Sequence, residues 1–125
     1  MRASYLRLFA DSSGESRFEI VQVPMDGEDF APPAAPLLIG QLSDRPQAVF
    51  YIDTPPGWDG LTFHPTPVRQ LLCVVEGRYE MTTSTGDKRQ VGPGDVVLLD
   101  DTHGKGHTTE PLDARGGIFL AVSLD

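Results

Sequence analysis

The 125-residue chain carries one cysteine, one tryptophan and ten basic side chains against eighteen acidic ones. A single cysteine, Cys73, excludes an intrachain disulfide. It lies in the apolar run Leu71-Leu72-Cys73-Val74-Val75, which predicts a buried, unreactive thiol. The net charge of −8 argues against a nucleic-acid partner, whose phosphates need a basic face. No apolar run reaches the roughly 20 residues that cross a bilayer, so no membrane partner is expected. The N-terminal Met1-Arg2-Ala3-Ser4-Tyr5-Leu6-Arg7 has no long apolar core, so no signal peptide is expected and the predicted location is cytoplasmic. Helical 3.6-residue periodicity is also missing.

Turn formers are plentiful instead, with 13 glycines and 11 prolines. Both interrupt helices, and together they suit short strands joined by frequent turns. Strand-like segments recur at Tyr5–Phe9, Phe18–Val23, Leu37–Leu42, Ala48–Ile52, Val68–Glu76, Arg78–Ser84, Lys88–Val91, Val96–Leu99 and Ile118–Leu124. The Pro-rich stretch 24–36 reads as an extended connector, Pro55–Gly60 as a loop, and Thr85-Gly86-Asp87 as a hairpin turn. About ten strands without helices predict an all-β sandwich or barrel of one domain.

Two segments carry candidate chemistry. In the first, His64, Thr66 and Gln70 share parity and precede Glu76-Gly77. If one strand runs through them, they face one interior, with Pro65 and Pro67 marking an edge or bend. In the second, Gly92-Pro93-Gly94-Asp95 leads through Val96–Leu99 to Asp100-Asp101-Thr102-His103-Gly104-Lys105-Gly106-His107.

These segments resemble the two motifs of the cupin superfamily, G-x5-H-x-H-x3-4-E-x6-G and G-x5-P-x-G-x2-H-x3-N. His64 falls on the first histidine, Thr66 on the second, Gln70 on the glutamate and Gly77 on the closing glycine. Gly94 opens the second motif. Asp100, Thr102 and Lys105 stand where its Pro, Gly and His are expected, and His107 lies two residues further on, with the same parity. The leading glycine of the first motif would fall at Trp58, between Gly57 and Gly60. The resemblance covers most of residues 57–124. It implies a cupin-type double-stranded β-helix, a jelly-roll barrel spanning 1–125. Residues 46–125 would form the barrel core, and 1–45 the N-terminal strands and connector, assigned by length alone.

In that family three histidines and a glutamate hold a divalent Fe, Mn, Ni or Zn ion. The resemblance therefore implies a metal on His64, Gln70 and His107, with His103 or Asp101 as a further donor. Without the carboxylate charge such a set binds more weakly. His64 and His107 are the candidate catalytic residues, because imidazole suits proton transfer. Trp58, Phe63, Thr66, Tyr79 and Lys105 are candidate pocket residues, with Lys105 placed to meet an anionic substrate. Asp100 and Asp101 could orient an imidazole, and Arg69, of opposite parity to Gln70, should face away and pair with an acid or with a second subunit. Each has a structural alternative: a hydrogen-bonded histidine at a strand start, a solvated loop cation, a packed aromatic, a capped turn.

The expected activity is that of an isomerase, cyclase, lyase or oxygenase acting on a small polar molecule. The rival expectation is a non-catalytic, metal-free binding or sensor module. The resemblance also implies a homodimer, since small cupins commonly exchange or pair N-terminal strands.

Overall fold

Strand order explains how a chain so rich in turns closes into a barrel. A computed structural model describes residues 3–125. It contains eleven strands: β1 (Ala3–Ala10), β2 (Ser16–Val23), β3 (Asp26–Glu28), β4 (Leu37–Ile39), β5 (Pro46–Thr54), β6 (Gln70–Glu76), β7 (Tyr79–Thr83), β8 (Lys88–Val91), β9 (Val96–Asp100), β10 (His107–Pro111) and β11 (Gly117–Leu124). No helix occurs among the described residues. One sheet has the order β2-β1-β9-β6-β11-β5, a second has β10-β7-β8, and β3 pairs with β4 in a separate hairpin.

His64 adds a further piece, an isolated antiparallel bridge to His107 on β10. The segment around it therefore continues the second sheet past β10. Counted from β5, the eight segments then fall as first-eighth-third-sixth in one sheet and second-seventh-fourth-fifth in the other. That is the jelly-roll order of two interlocked Greek keys. The fold is all-β and cupin-like on this topology.

The first residues belong to the main sheet. β1 runs parallel to β9, with Leu6 opposite Val97 and Leu8 opposite Leu99, and both leucines are buried in the core. β1 and β2 are strands of the larger sheet, whereas β3 and β4, in the stretch 24–45, pair only with each other. The core lies between the sheets, where Leu72, Val74, Val97, Leu99 and Phe119 meet Tyr79, Met81 and Val91. Tyr79 stacks on Phe119 with ring centroids 4.2 Å apart. Burial pushes its phenol above the ordinary value, opposed by a hydrogen bond with Thr54, so the hydroxyl stays a neutral donor or acceptor.

Three strands depart from expectation. β3 lies inside the stretch 24–36 read as a connector and pairs with β4. β10 (His-Thr-Thr-Glu-Pro) has no aliphatic alternation, yet His107, Thr108 and Thr109 are buried. Cys73 is only half-buried and lies on the outer side of β6.

Candidate functional site

Pro65 and Pro67 decide how the first segment meets the second. Neither has an N–H to donate, so the stretch can pair only through alternate residues. His64 N–H donates to His107 O at 3.1 Å and His107 N–H returns to His64 O at 3.0 Å. Thr66 N–H donates to Asp101 O at 2.9 Å. The chain then bends through Pro67 and Val68 before β6 begins at Gln70. The single strand that parity assumed does not exist, but Gln70 reaches the same interior from the opposite sheet.

Gly106 makes this pairing possible. Its φ is +75°, and a Cβ there would overlap the carbonyl group of His64. Gly60 does the same at the rim: a Cβ would run into the Trp58 ring and the Thr109 carbonyl. The indole therefore folds back across Gly60, whose carbonyl accepts from Thr109 N–H at 3.0 Å.

These elements enclose a cavity of about 180 Å³. Ile52, Leu72, Met81, Leu99 and Phe119 supply its apolar wall. His64, Thr66, Gln70, His107, Thr54 and Thr109 supply polar groups, and Trp58 and Asp53 stand among its lining. No lysine or arginine lines it among the described residues.

Behind the histidines lies a hydrogen-bonded chain. Asp101 is fully buried. One carboxylate oxygen accepts the Thr66 hydroxyl at 2.7 Å, and the other is 2.6 Å from His107 Nδ1. His64 Nδ1 lies 2.9 Å from Thr62 O. A carbonyl oxygen can only accept, so His64 carries its proton on Nδ1. The same reasoning holds for His107 against the Asp101 carboxylate. Each ring thus spends Nδ1 on the protein and offers Nε2 to the cavity it lines. The rings are 5.1 Å apart between centroids.

His64, Thr66, Gln70, His107 and Trp58 converge on this cavity. Others do not reach it. His103 sits exposed in the turn after Asp101, where Gly104 packs on Gly14. Lys105 points outward to an ion pair with Glu15, which holds the Glu15 carboxyl below its usual range. Phe63 is half-exposed beside Ser84 and Lys105. Tyr79 is in the core, and Thr54, which holds its hydroxyl, faces the cavity instead. Arg69 faces away from the cavity and pairs with Asp100 at 3.0 Å. Asp101 is the central orienting group, and its place beside the histidine-bearing turn was its sequence signal.

The donor set does not fit a resident divalent ion of the kind the cupin resemblance implies. Among the described residues no three of His, Cys, Asp or Glu gather as metal ligands. The imidazoles of His64 and His107 and the Gln70 amide bring no carboxylate charge, and Asp101, the carboxylate that holds His107, commits both oxygens to Thr66 and His107.

No family model and no curated protein matches the chain. A solved structure described as an ethanolamine utilization protein Q from Salmonella typhimurium LT2 is 17% identical, covering 99% of this chain and 97% of that one, at a TM-score of 0.36. No helix of the described residues is long and apolar enough to cross a membrane.

Proposed function

We propose that the chain is a metal-independent acid–base enzyme acting on a small, uncharged organic molecule held in the barrel. The observation that carries this reading is the Asp101–His107 pair, buried at one end and opening on the cavity at the other. Asp101 holds His107 in one tautomer, so Nε2 presents a lone pair to the substrate. His107 takes a proton from one substrate atom and, as imidazolium, returns it to another. Asp101 stabilises the imidazolium in between. That cycle serves an isomerisation, a cyclisation or an elimination without a redox partner. His64 Nε2 and the Gln70 amide orient a carbonyl or hydroxyl, and the apolar wall takes the hydrocarbon part. The absence of lining cations and the net charge of −8 disfavour an anionic substrate.

Protein purified without a metal-affinity tag is expected to carry well under one equivalent of Fe, Mn, Ni or Zn. Adding any of these should leave its melting temperature unchanged, whereas neutral carbonyl- or hydroxyl-bearing compounds raise it. Stoichiometric metal that is lost in both His64→Ala and His107→Ala would overturn the reading. Compounds that bind but are never turned over would favour the non-catalytic binding module.

A further inference from the structure

The two histidines stand side by side, and both turn the same kind of atom to the cavity. His64 and His107 exchange both of their backbone hydrogen bonds, at 3.1 and 3.0 Å. Residues paired in this way are directly opposite, with Cα atoms about 5.5 Å apart and side chains on one face. Each ring spends its Nδ1–H on the protein, His64 on Thr62 O and His107 on the Asp101 carboxylate. Each Nε2 is left with a lone pair.

No side chain among the described residues donates to either Nε2. The Thr66 hydroxyl is committed to Asp101, and the Thr54 hydroxyl is held between Tyr79 and Gly117 O. Every enclosed side-chain nitrogen or oxygen of the described residues has a hydrogen-bond partner. His107 is 3% exposed and its Nε2 has no partner, so that atom opens on the cavity rather than on packed protein. The Gln70 amide lines the same cavity and is likewise free of protein partners.

Two bare nitrogens side by side are selective about chemistry. Enolisation of a simple ketone, or elimination of water, needs one base and one acid. One ring would then have to present an N–H to the cavity, and the hydrogen bonds at Nδ1 place both protons on the other side of the rings. Two bases suit a reaction in which two protons leave one part of the molecule and return to another. Moving a carbonyl along an α-hydroxy ketone is such a reaction, because one proton travels from carbon to carbon and one from oxygen to oxygen.

We propose that the substrate is an uncharged α-hydroxy ketone, an acyloin, and that the reaction exchanges its carbonyl and hydroxyl carbons. The proposal rests on the acid–base reading above and names the substrate class for it. His107 Nε2 takes the proton of the hydroxyl-bearing carbon. That C–H electron pair forms the C=C bond of an enediolate, while the carbonyl π pair moves to its oxygen. A Gln70 amide N–H holds this oxygen. His64 Nε2 takes the hydroxyl proton and returns it to the former carbonyl oxygen. The carbonyl then re-forms on the first carbon, and His107 returns its proton to the second. Atoms and electrons balance without an oxidant or reductant. The apolar wall of Ile52, Leu72, Met81, Leu99 and Phe119 takes the hydrocarbon ends. An ammonium group would also offer donors, but Asp101 spends both carboxylate oxygens. Asp53 alternates on β5 with Ile52, which packs on the core, and buried Thr54, so its side chain faces away. The charge would enter the cavity unpaired.

The test uses acetoin, the four-carbon acyloin, and butanone, the same skeleton without the hydroxyl. In heavy water the protein is expected to place deuterium on the carbinol carbon of acetoin and to leave butanone unlabelled. A five-carbon acyloin with unlike ends is expected to interconvert with its positional isomer. His107→Phe should abolish both readings. His64→Phe should slow the carbonyl shift by about 10²-fold, the lower range for one positioned acid–base group, while carbon exchange falls far less. Should His64→Phe fail to fold, the wild-type comparison of acetoin with butanone decides alone. Butanone labelled as fast as acetoin would overturn the substrate class and leave the acid–base reading standing. No labelling of acetoin would also overturn the proposal. The reading beneath it is judged separately, by the metal content and melting temperatures described above.

Discussion

Asp101→Asn is expected to cut turnover by about 10²–10⁴-fold, the usual contribution of positioned acid–base catalysis, while leaving the barrel folded. The asparagine oxygen can still accept the Thr66 hydroxyl, so its amide nitrogen faces His107. That NH₂ group donates to Nδ1, which must then be the bare nitrogen, and the ring proton moves to Nε2. The cavity meets a donor where it met a base. Buried Asp101 also loses its charge-assisted hydrogen bonds, at about 1.5–3 kcal/mol, so a modest fall in melting temperature accompanies the rate loss. Turnover of an identified substrate and the thermal midpoint check both halves. Wild-type turnover in Asp101→Asn would remove Asp101 from its orienting role. Unfolding of the variant would make the pair a stability element, and Thr66→Val, which removes only the hydroxyl's bond to Asp101, then separates the two.

Gly106→Ala is expected to destabilise the protein by several kcal/mol, more than the about 1–3 kcal/mol of a strained backbone conformation alone. Alanine at φ +75° is strained, and its methyl would also overlap the His64 carbonyl group. Relief requires parting the two hydrogen bonds between His64 and His107, which opens the cavity on the side where both imidazoles sit. The expected readings are a melting temperature lower by about 10 °C or more and loss of ligand binding together. Gly86→Ala is the control. It has the same sign of φ but open space around its Cβ, so it carries the conformational cost without the collision. If the two variants melt alike, the close approach at Gly106 is not what holds the segment around His64 in place.

The strands that carry aliphatic side chains were legible in the sequence. β6, β9 and β11 fall within one or two residues of the runs Val68–Glu76, Val96–Leu99 and Ile118–Leu124. β10 was not, because its inward positions are His107 and Thr109, and neither gives a hydrophobic alternation. The segment around His64 was missed as a sheet element for a related reason: two prolines leave it too few donors for a ladder. The spacing in the resemblance nevertheless brought His64, Thr66, Gln70 and His107 to one cavity. It did so because the glycine turns keep their separation even though the polypeptide bends at Pro67 and Val68. What the spacing could not show was the direction of Asp101, which turns its carboxylate away from the cavity to hold a ring and a hydroxyl. The reading of Cys73 failed on a physical ambiguity. A strand that is apolar on both faces is buried on both only if something covers the second face, and among the described residues Cys73 is left half-buried.

The account rests on His107 presenting a bare Nε2 to the cavity in metal-free protein. Two-bond ¹H–¹⁵N correlation spectra of the imidazole side chains report the proton's position directly. The predicted result is the Nδ1–H tautomer for His107, switching to Nε2–H in Asp101→Asn. An Nε2–H ring in the wild type would contradict it.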